Sequence, residues 1–228
     1  MNPNSLAWDV STWVIPALLA ITLHEAAHGY AARALGDPTA ERLGRITMNP
    51  LRHIDPFGTI LLPGMLILLK SGFLFGYAKP VPVNFGNLRD PKRDMVLVAA
   101  AGPGMNLLLA LLAAILYHGV GFAPEPTQAW IADNLENAIQ FNVLLAVFNM
   151  LPIPPLDGGR VAVGLLPISL AMRLARLERV GILIVMGVFM LVPMVSREFG
   201  LGIDPSRILI GVPTRAVIEL VLSVTGHR

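Results

Sequence analysis

Leu23-His24-Glu25-Ala26-Ala27-His28-Gly29 is the stretch on which the reading of this chain turns. It lies inside an apolar run over about residues 10–35. In an α-helix, residues four apart share a face, so His24 and His28 can aim two imidazole nitrogens at one point. Glu25 is offset around the helix, yet near enough to take a proton from a water held there. A metal ion, as a rule Zn²⁺, is the usual occupant of a His-Glu-x-x-His face, with one coordination position left open. The alternative is two packed core histidines, but imidazoles and a carboxylate among aliphatics cost too much to bury without a role. Two histidines do not complete a site, so a third ligand must come from elsewhere in the chain.

Composition sets the solvent. The 228 residues are 54% hydrophobic and 14% charged, against roughly 25% charged in soluble domains. The chain therefore reads as an integral membrane protein whose first partner is the lipid bilayer. A formal charge of +2 gives no reason to expect nucleic acid. Cysteine is absent, which excludes disulfides, thiol nucleophiles and thiolate ligands. Any metal must be held by His and carboxylate. Met1 to Trp8 carries no Lys or Arg, so the apolar run after it reads as a retained helix and not as a signal peptide.

A membrane span takes about 20 apolar residues. Four are expected, over residues 10–35, 95–117, 134–150 and 180–195. Gly36-Asp37-Pro38 ends the first, because Pro38 disfavours a helical Asp37. Residues 57–69 are apolar but short and broken by Pro63-Gly64, which suits a re-entrant segment. Residues 44–48 read as a short strand, and residues 76–84 as an extended piece that Pro80 and Pro82 confine to an edge. Residues 118–133 read as a loop. The amphipathic stretch 214–224 either lies in the interface or packs on the bundle. The expected fold is a mainly α-helical membrane protein: a polytopic bundle of about four spanning helices, a re-entrant segment and short edge strands. It forms one membrane-embedded domain over 1–228, with a core at about 10–170 and an added span and amphipathic segment at 171–228. Lys and Arg gather in 37–93 and 160–179 and are missing from 118–133. By the positive-inside rule the first two regions face the cytoplasm, and His28 and Asp157 both fall nearer that side.

Of 15 acidic residues, Glu25 and Asp157 lie within apolar membrane segments. An intramembrane carboxylate is functional by default. Asp157 follows the proline-rich break Leu151-Pro152-Ile153-Pro154-Pro155-Leu156 and precedes Gly158-Gly159, where the backbone can bend. It is the natural third ligand. The alternatives are a helix-capping role for Asp157, and ligation by Glu41, downstream of the histidines in a polar stretch. Asn149 could donate a hydrogen bond to a developing oxyanion, or serve as interhelical glue. Asn106, in Ala101-Gly102-Pro103-Gly104-Met105-Asn106, is a buried amide in need of a partner, and the small residues beside it allow close helix approach. His53 and Asn106 are candidate substrate-binding residues; for His53 the alternative is a plain turn residue at the membrane surface.

Three ordered motifs together resemble a family. His24-Glu25-x-x-His28 in a first helix, Ala101-Gly102-Pro103 with Asn106 in a second, and Asn149-x-x-Pro152 leading to Leu156-Asp157-Gly158-Gly159 in a third are similar to the site-2 proteases (peptidase M50). These are zinc metalloproteases that cut inside the membrane. Asn49-Pro50-Leu51-Arg52-His53-Ile54-Asp55-Pro56-Phe57-Gly58-Thr59 and Lys79-Pro80-Val81-Pro82-Val83-Asn84 further resemble the short prokaryotic branch, which lacks PDZ and CBS domains. The resemblance covers about residues 10–170. It implies one Zn²⁺ bound by His24, His28 and Asp157, Glu25 as the base, Asn149 in contact with substrate or intermediate, and a membrane-protein or peptide substrate in a prokaryotic inner membrane. The rival is a membrane zinc transporter or sensor using the same ligands, which has no need of Glu25 as a base; the aliphatic outer halves of the spans offer it no polar path. A third reading is a non-catalytic, chaperone-like binder of membrane helices, against which the intact Glu25 counts.

Overall fold

The structure, a computed structural model, describes residues 5–68 and 76–227. Helix α1 (Leu6–Ala34) begins at Ser5, whose side chain accepts from Trp8 N, and stops before Gly36, whose φ of 111° continues no helix. Helix α2 (Pro91–Tyr117) starts on Asp90, which accepts from Arg93 N, with Pro91 in the first turn. Helix α3 is Glu125–Asn149, α4 Asp157–Leu165 and α5 Ile168–Arg176. Helix α6 runs over Gly181–Glu198 with a π turn at Gly187–Leu191, and α7 is Val212–Val224.

Among the described residues, α1, α2 and α6 are long and apolar enough to cross a membrane. The fourth span expected, at 134–150, is the second half of α3. That helix has 25 residues, but its first half carries Glu125, Asp133 and Glu136, so it is long without being uniformly apolar. The polar half is used: Trp8 Nε1 donates to Asp133 Oδ2 (2.7 Å), Trp130 Nε1 to Ser11 Oγ (2.9 Å) and Asn137 Nδ2 to Thr12 O (3.1 Å). These bonds set α3 alongside α1 with the same direction. Arg89 N donates to Leu35 O (3.1 Å), tying the start of α2 to the end of α1, so α2 runs the opposite way.

In lipid, helices gain little from hiding apolar surface, and close packing of small residues takes over. Ala20, Ala110 and Ala114 are wholly buried at the contacts of this bundle. The amphipathic stretch of α7 packs on the bundle: Val221 is buried against Ala110, Ala113, Ala114, Ile139 and Val143. Leu151, Val185, Phe189 and Ile210 form a second cluster that joins α6 to the proline-rich segment before Asp157.

No strand forms among the described residues. The edge strands expected at 44–48 and 78–84 are absent for a visible reason. Residues 77–84 are extended, but their polar groups go to side chains and turns: Val81 N to Glu25 Oε2 (2.8 Å), Asn84 N to Asp37 Oδ2 (2.7 Å), and Lys79 O from Arg45 Nη2 (2.9 Å). Pro80 and Pro82 have no N–H to offer a ladder. In the segment expected to re-enter, a π turn at Pro56–Leu61 leads into a short helix, Leu62–Leu68. The end of that expectation, from residue 69, lies outside the described residues.

Asp37, read from sequence only as a helix stop, is a buried junction. Its carboxylate accepts from Thr39 N, Thr39 Oγ1, Asn87 Nδ2 and Asn84 N, joining the end of α1 to the extended segment. Burial alone would raise its pKa, but the hydrogen bonds from Thr39, Asn87 and Asn84 outweigh this and hold it below the usual carboxylate value. A folded pKa below the unfolded one contributes stability above the unfolded pKa of about 3.9 and loses it as pH falls through the folded value. Thermal unfolding of the purified protein should therefore become easier as pH falls below about 4. Asp37→Asn, which already lacks the charge, should be less stable at neutral pH and flatter across that range.

Candidate active site

The site forms where four helices meet. His24 and His28 face inward from the second half of α1. Val98, Gly102 and Asn106 face them from α2. Asn149 closes α3, and Asp157 opens α4 after the proline-rich break. His24, His28 and Asp157 are all buried, at 5%, 8% and 5% exposure. Their facing atoms converge: His24 Nε2 to His28 Nε2 is 3.1 Å, and Asp157 Oδ2 stands 3.2 Å from the first and 3.3 Å from the second.

The outer hydrogen bonds decide what those atoms are. His28 Nδ1 lies 2.7 Å from Val98 O, which can only accept, so Nδ1 carries a proton and, in the neutral imidazole that binds a metal, Nε2 a lone pair. His24 Nδ1 lies 2.6 Å from Asn106 Oδ1, with the same consequence. Asp157 Oδ2 is buried and has no hydrogen-bond partner among the described residues. Three lone-pair donors with no proton among them repel at this spacing, and a cation removes the repulsion. For tetrahedral Zn²⁺ bonds of about 2.0–2.1 Å, ligand atoms sit roughly 3.3 Å apart. The observed spacings are close to that, so the donor set fits zinc in both chemistry and size.

Gly102 supplies the room. A Cβ added there would stand 2.6 Å from His24 Cε1 and closer still to His28 Nε2. Gly158 and Gly159 do not act as a flexible bend, since neither has a positive φ. They let the proline-rich segment fold back on α4: a Cβ at Gly158 would overlap Met150 O, and one at Gly159 would stand 2.7 Å from Ile153 C. Gly181, at the start of α6, admits Pro154 O in the same way. Sequence reading missed Gly181 and gave Gly102 only a general packing role. A glycine beside proline within an apolar helix was the available signal.

The other candidates separate. Glu25 is half-buried beside the cluster, and its Oε2 accepts from Val81 N, with no hydrogen bond to Oε1 among the described residues. Asn149 spends one amide hydrogen on Leu145 O (3.0 Å) within its own helix. Asn106 is fully buried and engaged at both ends, which makes it a support for His24 and not an open contact for substrate. His53 is also buried, with Nε2 on Thr47 O (2.9 Å) and its own carbonyl accepting from Lys79 N (2.9 Å). These bonds pin a turn to the extended segment, and none reaches the metal cluster. Glu41 pairs with Arg33 (3.1 Å) at an exposed position and is not among the converging ligands.

The sequence model of peptidase family M50 matches residues 123–194, the part that contains Asn149 and Asp157. YwhC of Bacillus subtilis, named as a candidate zinc metalloprotease, is 38% identical over 180 residues, covering 77% of this chain and 78% of its own. Rip2 of Mycolicibacterium smegmatis, named in the same way, is 32% identical over 183 residues, covering 80% of this chain and 67% of its own. Rip2 of Mycobacterium tuberculosis is 33% identical over 141 residues, covering 62% and 52%. No solved structure matches the chain. With that identity over most of both sequences, and with a buried His-His-Asp cluster assembled from two separate motifs, the chain belongs to peptidase family M50.

Proposed function

We propose that this protein is an intramembrane zinc metalloprotease that hydrolyses peptide bonds in or beside transmembrane segments of other membrane proteins. The observation that carries the reading is the convergence of His24 Nε2, His28 Nε2 and Asp157 Oδ2, all buried and within hydrogen-bond distance of one another. These three residues hold one Zn²⁺. Zinc, when bound, supplies a Lewis acid that makes water acidic enough to lose a proton near neutral pH. Glu25 receives that proton on its open oxygen and later returns it to the leaving amine. The Val81 N–H keeps the other oxygen fixed, so the base does not swing towards the histidines. Asn149 has a second amide hydrogen beyond the one on Leu145 O, and this one serves the oxyanion.

A helical substrate hides its carbonyls in backbone hydrogen bonds and must unwind to be cut. Residues 37–93 and 160–179 face the cytoplasm of a prokaryotic inner membrane, since they hold most of the Lys and Arg. This puts the ends of α1 and α3 that carry the site on the cytoplasmic side. The segment 56–68 enters and leaves on that same side, and α3 crosses as the fourth span.

Asn149→Ala tests the oxyanion role. Loss of one donor costs roughly 2.7–4 kcal/mol, or 10²–10³ in kcat. Zinc content should be unchanged. A variant that cleaves a membrane substrate at the wild-type rate would return Asn149 to a packing role.

A further inference from the structure

Asn142, on α3, has no place in the reading so far. It is 3% exposed in the middle of the bundle, and its amide is held firmly: Nδ2 donates to Ala138 O (2.9 Å) one turn back. That bond turns Oδ1 towards α2, where it accepts from Asn106 Nδ2 at 2.8 Å. The second hydrogen of Asn106 Nδ2 goes to Ala20 O on α1, at a longer 3.3 Å. Asn106 Oδ1 is thereby left to face His24 Nδ1.

We propose that Asn142 is a positioning residue for the metal: by fixing the orientation of the Asn106 amide, it holds His24 in the tautomer whose Nε2 can bind zinc. This rests on the zinc reading above and extends it to a residue two side chains away from the metal. The logic is one of forbidden flips. Rotating the Asn106 amide by half a turn would set its oxygen against two acceptors, Asn142 Oδ1 and Ala20 O. It would also present an N–H to His24 Nδ1, driving the imidazole proton to Nε2 and closing the ligand. With Asn142 in place both acceptors oppose the flip. Without it only the longer bond to Ala20 O remains. His28 needs no such device, because Val98 O is a backbone carbonyl and cannot turn into a donor.

The test uses the purified full chain. Asn142→Leu has similar volume and no acceptor. Zinc affinity is measured by competition with a chelator, and the tautomers of His24 and His28 in the zinc-stripped protein by ¹⁵N NMR. The expected result is a loss of about 10–100-fold in zinc affinity, the usual size for a lost support behind a ligand. His24 should move from pure Nδ1–H to a mixture with Nε2–H, while His28 stays as it was; the unchanged His28 shows that the bundle is intact. Wild-type affinity with an unchanged His24 tautomer in Asn142→Leu would overturn the proposal. If wild type itself binds no zinc, the protease reading fails, and the His24 tautomer still tests the relay.

Discussion

Glu25→Gln is expected to keep its zinc and to lose nearly all peptide hydrolysis. The two properties separate because Glu25 is not one of the converging ligands. His24, His28 and Asp157 meet without it, and their outer bonds to Asn106 and Val98 do not involve it. Gln has the same length and retains a carbonyl oxygen, which can still accept the Val81 N–H that Glu25 Oε2 accepts at 2.8 Å. The bundle and the extended segment should therefore stay in place. On the proposed mechanism, what disappears is the group that takes a proton from water and gives it to the leaving amine. General acid–base groups contribute typically 10²–10⁴-fold each, and here one side chain serves both steps. The loss should lie at or beyond the top of that range and exceed the loss in Asn149→Ala, which removes a single donor. Zinc content and cleavage rate measured on the same sample of each protein decide it. A Glu25→Gln protein that cleaves at the wild-type rate would remove Glu25 from the mechanism.

Gly102→Ala is expected to empty the metal site through a single methyl group. The added carbon would press on His24 Cε1 and His28 Nε2 from the facing helix. Neither imidazole can retreat, since His24 is held by Asn106 and His28 by Val98 O, both on the same helix as Gly102. Either α2 moves away from α1 or the Nε2 atoms turn off their common point. Both outcomes lose zinc and activity together. Gly104, two residues along, is the control: a Cβ there meets nothing within 4 Å, so Gly104→Ala should behave as wild type. Equal zinc content in the two variants would show that the close approach of α2 at Gly102 has no bearing on the metal.

The contrast between these glycines marks the boundary of what the sequence discloses. The i, i+4 histidines are legible because helix periodicity alone puts them on one face, and Asp157 because a carboxylate in an apolar segment demands a reason. The spans of α1, α2 and α6 follow from uninterrupted apolar length. The start of α3 does not, because its first half is polar and finds partners only in tertiary contact, in Trp8, Ser11 and Thr12 of α1. Residues 78–84 have the composition of an edge strand, yet their N–H groups are taken by Glu25 and Asp37, acids whose positions in space the sequence does not show. Gly158-Gly159 look like a hinge, but they serve as clearance for the backbone of Met150 and Ile153. Asn142 is one of several asparagines in α3, and only its bond to Asn106 sets it apart.

The most direct test of the central claim is to strip the purified protein with a chelator and follow cleavage of a membrane substrate as zinc is returned. The account predicts no cleavage by the stripped protein and recovery that saturates at about one zinc per chain. Cleavage that survives complete removal of the metal, or that fails to return once His24, His28 and Asp157 have been reloaded, would contradict it.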